Sequence, residues 1–596
     1  MDRRKFLIGS GSVLAAAAGL SGTGNSAQAK GIPDILRQSS ANNKPIITQS
    51  NDLTAYQGPW TDTTLRHLLR RAMFGVPLSQ FQAAQSLGSM SAVVDKLLDD
   101  TAPLPDLLTN APQGQTPFGT VVPIDKTNPD QVFATEDAYN LERARQSVLV
   151  NWWLDLIIKE NLSIRERMTL FWSNHFVVGS DVVVPAPYLY YYNLLLRSHA
   201  LGNMKTFVTD ITRNPAMIQY LNCDENYDGL IPSTQIQGGL HINENYAREL
   251  CELFTLGITD PVSGMPNYSE SDVQQAAKAL TGWSYNSFEP GGFMSPSGVD
   301  SYFPSSHNTD QKIFLGQTGN WTWSDIIDII FNYKGPTGSN QAGFNAAYWF
   351  CRKIYMEFVY YVPNTGVVTA MANLMVKNNF DIKPVLEALL QSDHFYSDNV
   401  QNSQIKSPIN FIAGMIREFN LDYGALDLTD PPFNSIMMGL HTYNNLNPSL
   451  TFLTLTTAGT GLGQMLLDPP NVRGWLGGRS WVSTGTFDQR QQFSHDALIS
   501  PVLFDGTTTN ESILLAFSDP TKWIQSTPNF ANMKSNEVAA AASQIILNRE
   551  LGPIEAGVLY QVLNQLQLPE SDFYYKDQYI ANFAIALAQL PEYQLT

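Results

Sequence analysis

The chain is poor in thiols, has no basic cluster, and carries no long apolar run beyond its first 30 residues; each lack removes a class of function. Three cysteines in 596 residues, Cys223, Cys251 and Cys351, make no close pair and no metal-ligand spacing, which argues against a thiolate zinc site. One disulfide is permitted in an oxidising compartment, but the odd count and wide spacing leave it open. Cys251 falls within an apolar helical pattern and reads as a small core residue. The richest later apolar run, 344–362, is interrupted by Arg352, Lys353 and Glu357, so no integral membrane span is expected. Lys and Arg number 36 against 54 Asp and Glu, a formal charge of −18. A surface of that sign repels phosphate backbones and anionic lipid, and nucleic acid is not an expected partner. A nucleophile elbow, a phosphate-cradling glycine loop and an H-E-x-x-H helix are also missing, which argues against the commonest hydrolase, nucleotide and zinc-protease sites.

What is present begins with an address. Arg3, Arg4 and Lys5 precede Phe6, Leu7 and an apolar stretch that is too short to span a bilayer, followed by Ala27-x-Ala29. These are the parts of a cleavable signal peptide, and the paired arginines mark the twin-arginine variant. The expectation is export in the folded state by the twin-arginine translocase, cleavage after Ala29, and a periplasmic or secreted protein. Losing residues 1–29, with three cations and one Asp, moves the formal charge from −18 to −20.

Helical periodicity dominates after a polar arm at 30–59. Thr61 and Asp62 are placed to cap a helix carrying Leu65, Leu68, Leu69 and Ala72, and Ser163 with Glu166 reads as a capping box ahead of 168–176. Strand signals are few, with 182–184 and 451–457 as candidates. The expected fold is mainly α: a large, bundle-like single core over 60–500 with long loops and few short strands, and a helical extension at 501–596 packed on it.

Three segments could carry chemistry. In HINENYARELCELFTLG, residues 241–257, a single helix at about 100° per residue puts His241, Glu244, Asn245, Arg248 and Glu252 on one face and Tyr246, Leu250, Leu253 and Phe254 on the other. Either that polar face is a solvated stripe of four-residue ion pairs, or it lines a cavity where carboxylates bind a divalent metal or a substrate. In SIRERMTLFWSNHF, residues 163–176, His175 shares an aromatic face with Met168, Phe171, Trp172 and Phe176. It is either a hydrogen-bonded core imidazole or, being neutral when buried, a metal ligand. In DPPNVRGWLGGRSW, residues 468–481, Arg473, Trp475 and Trp481 either present cationic and aromatic faces to a sugar or bury both rings under a tight turn. His307, near the end of a Ser/Gly/Pro-rich loop at 284–310, is a further contributor.

LRHLLRRAMFG (65–75), RERMTLFWSNHF (165–176), NENYARELCELFTLG (243–257), YSESDVQQAAKALTGW (268–283) and PPNVRGWLGG (469–478) together resemble the bacterial family known as domain of unknown function 1800. The resemblance implies a secreted or periplasmic protein, commonly encoded in that family beside an exported family similar to sulfatases. It implies no established activity. Where members often have His-Asp in the loop this chain has His307-Asn308, and Cys251 stands where a larger apolar residue is usual.

Two readings follow. One is a metal-dependent envelope enzyme acting on polysaccharide or another envelope substrate, with His175, His241, Glu244, Glu252 and His307 as ligands, Glu249 as acid/base and Arg248 as an anion clamp. The other is a non-catalytic binding or assembly protein for cell-surface polysaccharide or an exported partner such as the sulfatase-like neighbour, using Arg473, Trp475 and Trp481. The address is testable by itself: with Arg3→Lys and Arg4→Lys together, fractionation should find the precursor in the cytoplasm, whereas the parent sequence should yield an exported chain whose mass begins at Lys30.

Overall fold

Helix start signals recur along the chain, and the elements follow them. The computed structural model describes residues 52–105, 136–231, 236–284, 302–421, 459, 461–498, 535–547 and 583–596. The leader, the arm up to residue 51 and the strand expected at 451–457 lie outside the described residues.

The architecture is mainly α. Thr61 accepts from the Thr64 amide in a reciprocal box that starts α1 (Asp62–Ala72), and short turns lead to α2 (Leu78–Ser86) and α3 (Met90–Leu97). The long α4 (Glu136–Lys159) and α5 (Arg165–Ser173) pack with α6 (Ala186–Ser198). Asn203 caps α7 (Met204–Thr212), accepting from the Lys205 and Thr206 amides. Asn214 with Pro215 opens α8 (Pro215–Tyr220), as an N-cap amide and an N1 proline should.

An antiparallel hairpin of β1 (Tyr227–Leu230) and β2 (Gln237–His241) precedes α9 (Asn245–Glu249). The chain continues from α9 into a π-helical turn, Leu250–Thr255. Then come α10 (Glu270–Ala279), the small hairpin β3 (Lys312–Phe314) and β4 (Gln317–Gly319), α11 (Trp323–Phe331), α12 (Phe344–Phe358), α13 (Thr365–Lys377), α14 (Lys383–Leu390) and α15 (Pro408–Glu418). α16 (Thr484–Leu498) and α17 (Ser535–Leu547) complete the set. The two hairpins are the strands among the described residues. No helix there is long and apolar enough to cross a membrane.

One large apolar cluster runs from α1 to residue 593, and unusually many cations lie within it. The expectation for α1 was one apolar face; instead nearly the whole helix is buried, including Arg66, His67, Arg70 and Arg71. Guanidinium forks are tolerated there because they meet backbone carbonyls: Arg71 Nη1 donates to Val359 O at 3.0 Å, and Arg66 Nη1 to Ile545 O at 3.1 Å. Burial without such partners would be prohibitive.

The C-terminal segment is stitched in the same way. Leu595 bridges Ile405, and the Thr596 hydroxyl donates to Arg70 O at 3.0 Å.

Two local expectations fail. Residues 182–184 form no strand. Ser163 and Glu166 form no capping box: the Ser163 hydroxyl accepts from the Arg165 amide, while the Glu166 carboxylate is drawn inward to Arg197 at 2.7 and 2.8 Å and to the Trp153 indole at 3.2 Å. A buried bidentate partner outcompetes a surface cap.

Glu418 is the acid at the centre of the C-terminal junction, 3.4 Å from Arg70 and 3.6 Å from Lys406, all fully buried. Burial alone would raise its carboxyl, but Lys406 and Arg70 outweigh that and hold it below the ordinary Glu range. Its stabilising effect is therefore present above the unfolded-state pKa and lost as pH falls through the lower folded value. Glu418→Gln removes the carboxylate that Arg70 and Lys406 share, so it should cost about 3–5 kcal/mol. Thermal unfolding near neutral pH should show the loss, and the gap from the parent chain should close on acidification.

Candidate functional site

The π-helical turn decides where the acids of the central segment point. Leu256 N donates to Cys251 O, five residues back, at 3.0 Å. One extra residue in the turn ends the 100° periodicity, so the face expected on a single regular helix does not exist beyond Glu249. Turns of this kind are rare and collect at functional sites.

Around this turn three segments converge. α12 lies against it, with the Trp349 indole donating to Leu253 O at 2.7 Å. α5 is tied to α12 by Arg167 and Glu357 at 2.8 Å, and its C-terminal residue Asn174 reaches the 468–475 segment. The Asn174 amide donates to Trp475 O at 3.1 Å and accepts from Trp475 N at 2.7 Å. Gly474 has φ +69° and a Cβ there would sit 2.1 Å from Asn174 Oδ1, so glycine is required for this close approach. The clamp sets Arg473 over the π turn, where Nη2 meets Glu252 Oε1 at 2.8 Å. Arg473 is 63% exposed and Glu252 16%, so one end of this ion pair faces solvent.

Glu249 sits beside that pair. It is half-buried, and among the described residues it makes no hydrogen bond or ion pair. Burial, and then the Glu252 charge, push its carboxyl up, with Arg473 and Arg248 offsetting only part. Tyr220 and Tyr268 border the notch. Burial raises both phenols, that of Tyr220 to about 12, with help from Asp181, Glu249 and Asp468, and that of Tyr268 with help from Glu252. From α12, Lys353 is lowered to about 8 by burial and then by Arg352 and Arg473. A raised carboxyl thus stands beside an exposed guanidinium, with a lowered amine near that same guanidinium.

The expected metal ligands do not assemble. His241 ends β2 instead of starting a helix; its ring stacks on Tyr227 at 5.4 Å and Nδ1 meets Glu225 O. Glu244 stands at the N-cap position of α9, where its side chain makes no capping bond and pairs instead with Arg248 at 2.9 Å. His307 faces Thr281, 3.3 Å from both its carbonyl and hydroxyl.

His175 is buried in a box of Phe171, Trp172, Phe176, Phe254 and Phe350. Burial and then Lys353 lower it to about 3, so it is neutral. Nε2–H donates to Phe254 O at 3.1 Å. A neutral imidazole fits a metal, but aromatic rings stand where further ligands would be needed. No group of three or more His, Cys, Asp or Glu among the described residues is placed to hold an ion. The donor set does not fit the expected divalent metal.

Two further corrections concern the clamp and the platforms. Arg248 is occupied by Glu270 at 2.5 and 2.9 Å and by Glu244 at 2.9 Å, leaving no free fork for an anion. Trp475 and Trp481 are buried at 9% and 8% in a small cluster with Val482 and Phe487. They anchor the loop, and only Arg473 of the expected substrate-binding set is open. Sequence reasoning missed Asn174, Tyr220, Tyr268 and Lys353. The cations that break the apolar run of α12 were the available signal for Lys353.

The chain belongs to the family described as protein of unknown function, DUF1800, whose model matches residues 67–595. No curated protein and no solved structure matches it. Four of the five sequence blocks that carry the resemblance contribute to the notch through Asn174, Glu249 with Glu252, Tyr268 and Arg473.

Because the Glu249 carboxyl is raised, its ionised form is penalised in the folded state. The penalty is absent below the unfolded-state pKa, grows as pH rises through the window up to the folded value, and is constant above it. Glu249→Gln should therefore raise the melting temperature at pH 7–8, and the gain should vanish in acid.

Proposed function

We propose that this is an exported envelope enzyme in which Glu249 performs general acid–base catalysis on polysaccharide or another envelope substrate. One observation carries the reading: a half-buried carboxyl with no ion-pair partner among the described residues, raised by its surroundings, stands beside the Glu252–Arg473 pair that opens to solvent. Such an environment stores destabilisation that a binding-only surface has no need of. In the proposed mechanism the protonated Glu249 donates to a leaving oxygen and afterwards takes a proton from the attacking hydroxyl or water. Arg473, held by Glu252, contacts an oxygen of the substrate, and the part-buried Asn174 clamp keeps the guanidinium in place. No step passes through a metal. Export rests on the Arg3-Arg4 leader.

The alternative, a non-catalytic binding or assembly protein, draws on Leu476, which is 84% exposed beside Arg473. The two readings separate in a screen of the purified mature chain against envelope polysaccharides with the chain and Glu249→Gln in parallel. Turnover should fall about 10²–10⁴-fold in the variant. In the parent it should decline as pH rises past the Glu249 value, because the acid form is lost. Binding without turnover in both proteins would favour the alternative.

A further inference from the structure

The partly exposed face of α12 carries two adjacent cations, Arg352 and Lys353. Tyr348, Trp349, Arg352 and Lys353 fall at one-turn spacing on a partly exposed stripe. Arg352 and Lys353 flank the Trp349 ring at 5.5 and 5.2 Å. The ring is fixed from below by its bond to Leu253 O at 2.7 Å, which brings the stripe against the π turn.

Arg473 approaches from the other side through the Asn174 clamp. Of the acids near this group, Asp181 and Asp468 act on Tyr220 at the far border of the notch. Glu357 is held by Arg167 at 2.8 Å and Glu252 is shared with Arg473 at 2.8 Å, while Glu249 is raised toward its neutral form. Among the described residues neither Arg352 nor Lys353 pairs with a carboxylate. Two of the three cations, Arg352 and Lys353, thus stand without a carboxylate partner among the described residues, in a chain whose formal charge is −18. The amine of Lys353 is lowered to about 8, by burial first and then by the neighbouring Arg352 and Arg473. An arrangement that disfavours its own charge is relieved by an incoming anion.

We infer that Arg352, Lys353 and Arg473 form an anion clamp beside the Glu249 notch, selecting polysaccharide that bears carboxylate or sulfate groups over neutral polymer. This rests on the acid–base reading of the notch and names its substrate class. Trp349 braces the two α12 cations, a role unlike the sugar platform expected of Trp475 and Trp481.

The test is affinity electrophoresis or calorimetry of the mature chain with neutral dextran, polygalacturonate and dextran sulfate. Binding to one or both anionic polymers, weakening with added salt, and none to dextran is the expected result. Which anionic polymer binds tells carboxylate from sulfate. Arg352→Gln with Lys353→Gln, and separately the exposed Arg473→Gln, should each weaken that binding roughly tenfold or more. Removal of two exposed lysines elsewhere, Lys96→Gln with Lys377→Gln, should leave it unchanged. Circular dichroism of each variant checks that it is folded.

Equal binding of dextran, no binding of either anionic polymer, or undiminished binding by folded α12 and Arg473 variants would overturn the clamp. Such a failure is distinct from failure of the acid–base reading, which shows as undiminished turnover in Glu249→Gln whatever the polymer affinity.

Discussion

A single side-chain amide, that of Asn174, holds the turn that carries Arg473 as a neighbouring strand would. Donating to Trp475 O and accepting from Trp475 N, it gives the backbone of a distant turn the two hydrogen bonds that a neighbouring strand would supply, in a protein with few strands. An isolated contact of this kind is modest, about 0.5–1.5 kcal/mol per bond. Its effect is positional. With Gly474 fitted against the amide and both Trp475 and Trp481 buried beneath, the turn has little freedom, and Arg473 is delivered to Glu252 without paying ordering entropy on encounter with a ligand.

The same logic of charge held by fixed dipoles pervades the interior. Arg66 and Arg71 are fed by carbonyls, Arg197 by Glu166, and Arg70 by Glu418 with the carbonyls of α17. Replacing such pairs by apolar side chains is often neutral or stabilising, whereas breaking one partner is costly. Buried arginines therefore do little for net stability. What they add is registration: each fork has one geometry that satisfies it, and segments as distant as α1, 400–406 and 591–596 are brought into a single alignment.

How much of this was legible varies with the range of the interaction. Local signals were readable: the Thr61 cap, the apolar spacing of α1, the mainly helical class and the family blocks all stand in the structure. Partner choice was not. Ser163 and Glu166 have the spacing of a capping box, yet Arg197, 31 residues on, takes the carboxylate. The face drawn through His241, Glu244, Arg248 and Glu252 assumed a regular helix, and both ends depart from it: Gly238 and Gly239 lead His241 into a strand, and the π turn shifts Glu252. No periodicity argument anticipates an inserted residue. The alternatives left open for Trp475 and Trp481 were decided by a tertiary fact, their burial together with Val482 and Phe487.

Glu249 and Lys353 are shifted in opposite directions by one cause. Burial disfavours charge of either sign, so it raises a carboxyl and lowers an amine, and in each case a like-charged neighbour, Glu252 for the acid and Arg473 for the amine, adds to the effect. The usual order, in which an acid gives up its proton far below neutrality and an amine keeps it far above, is compressed at this notch. A purely structural ion pair drives the two values apart, as Glu418 shows with its carboxyl held low by Lys406 and Arg70. The two carboxylates are shifted in opposite directions for distinct reasons, Glu418 by two cations at its side and Glu249 by burial with a like charge beside it.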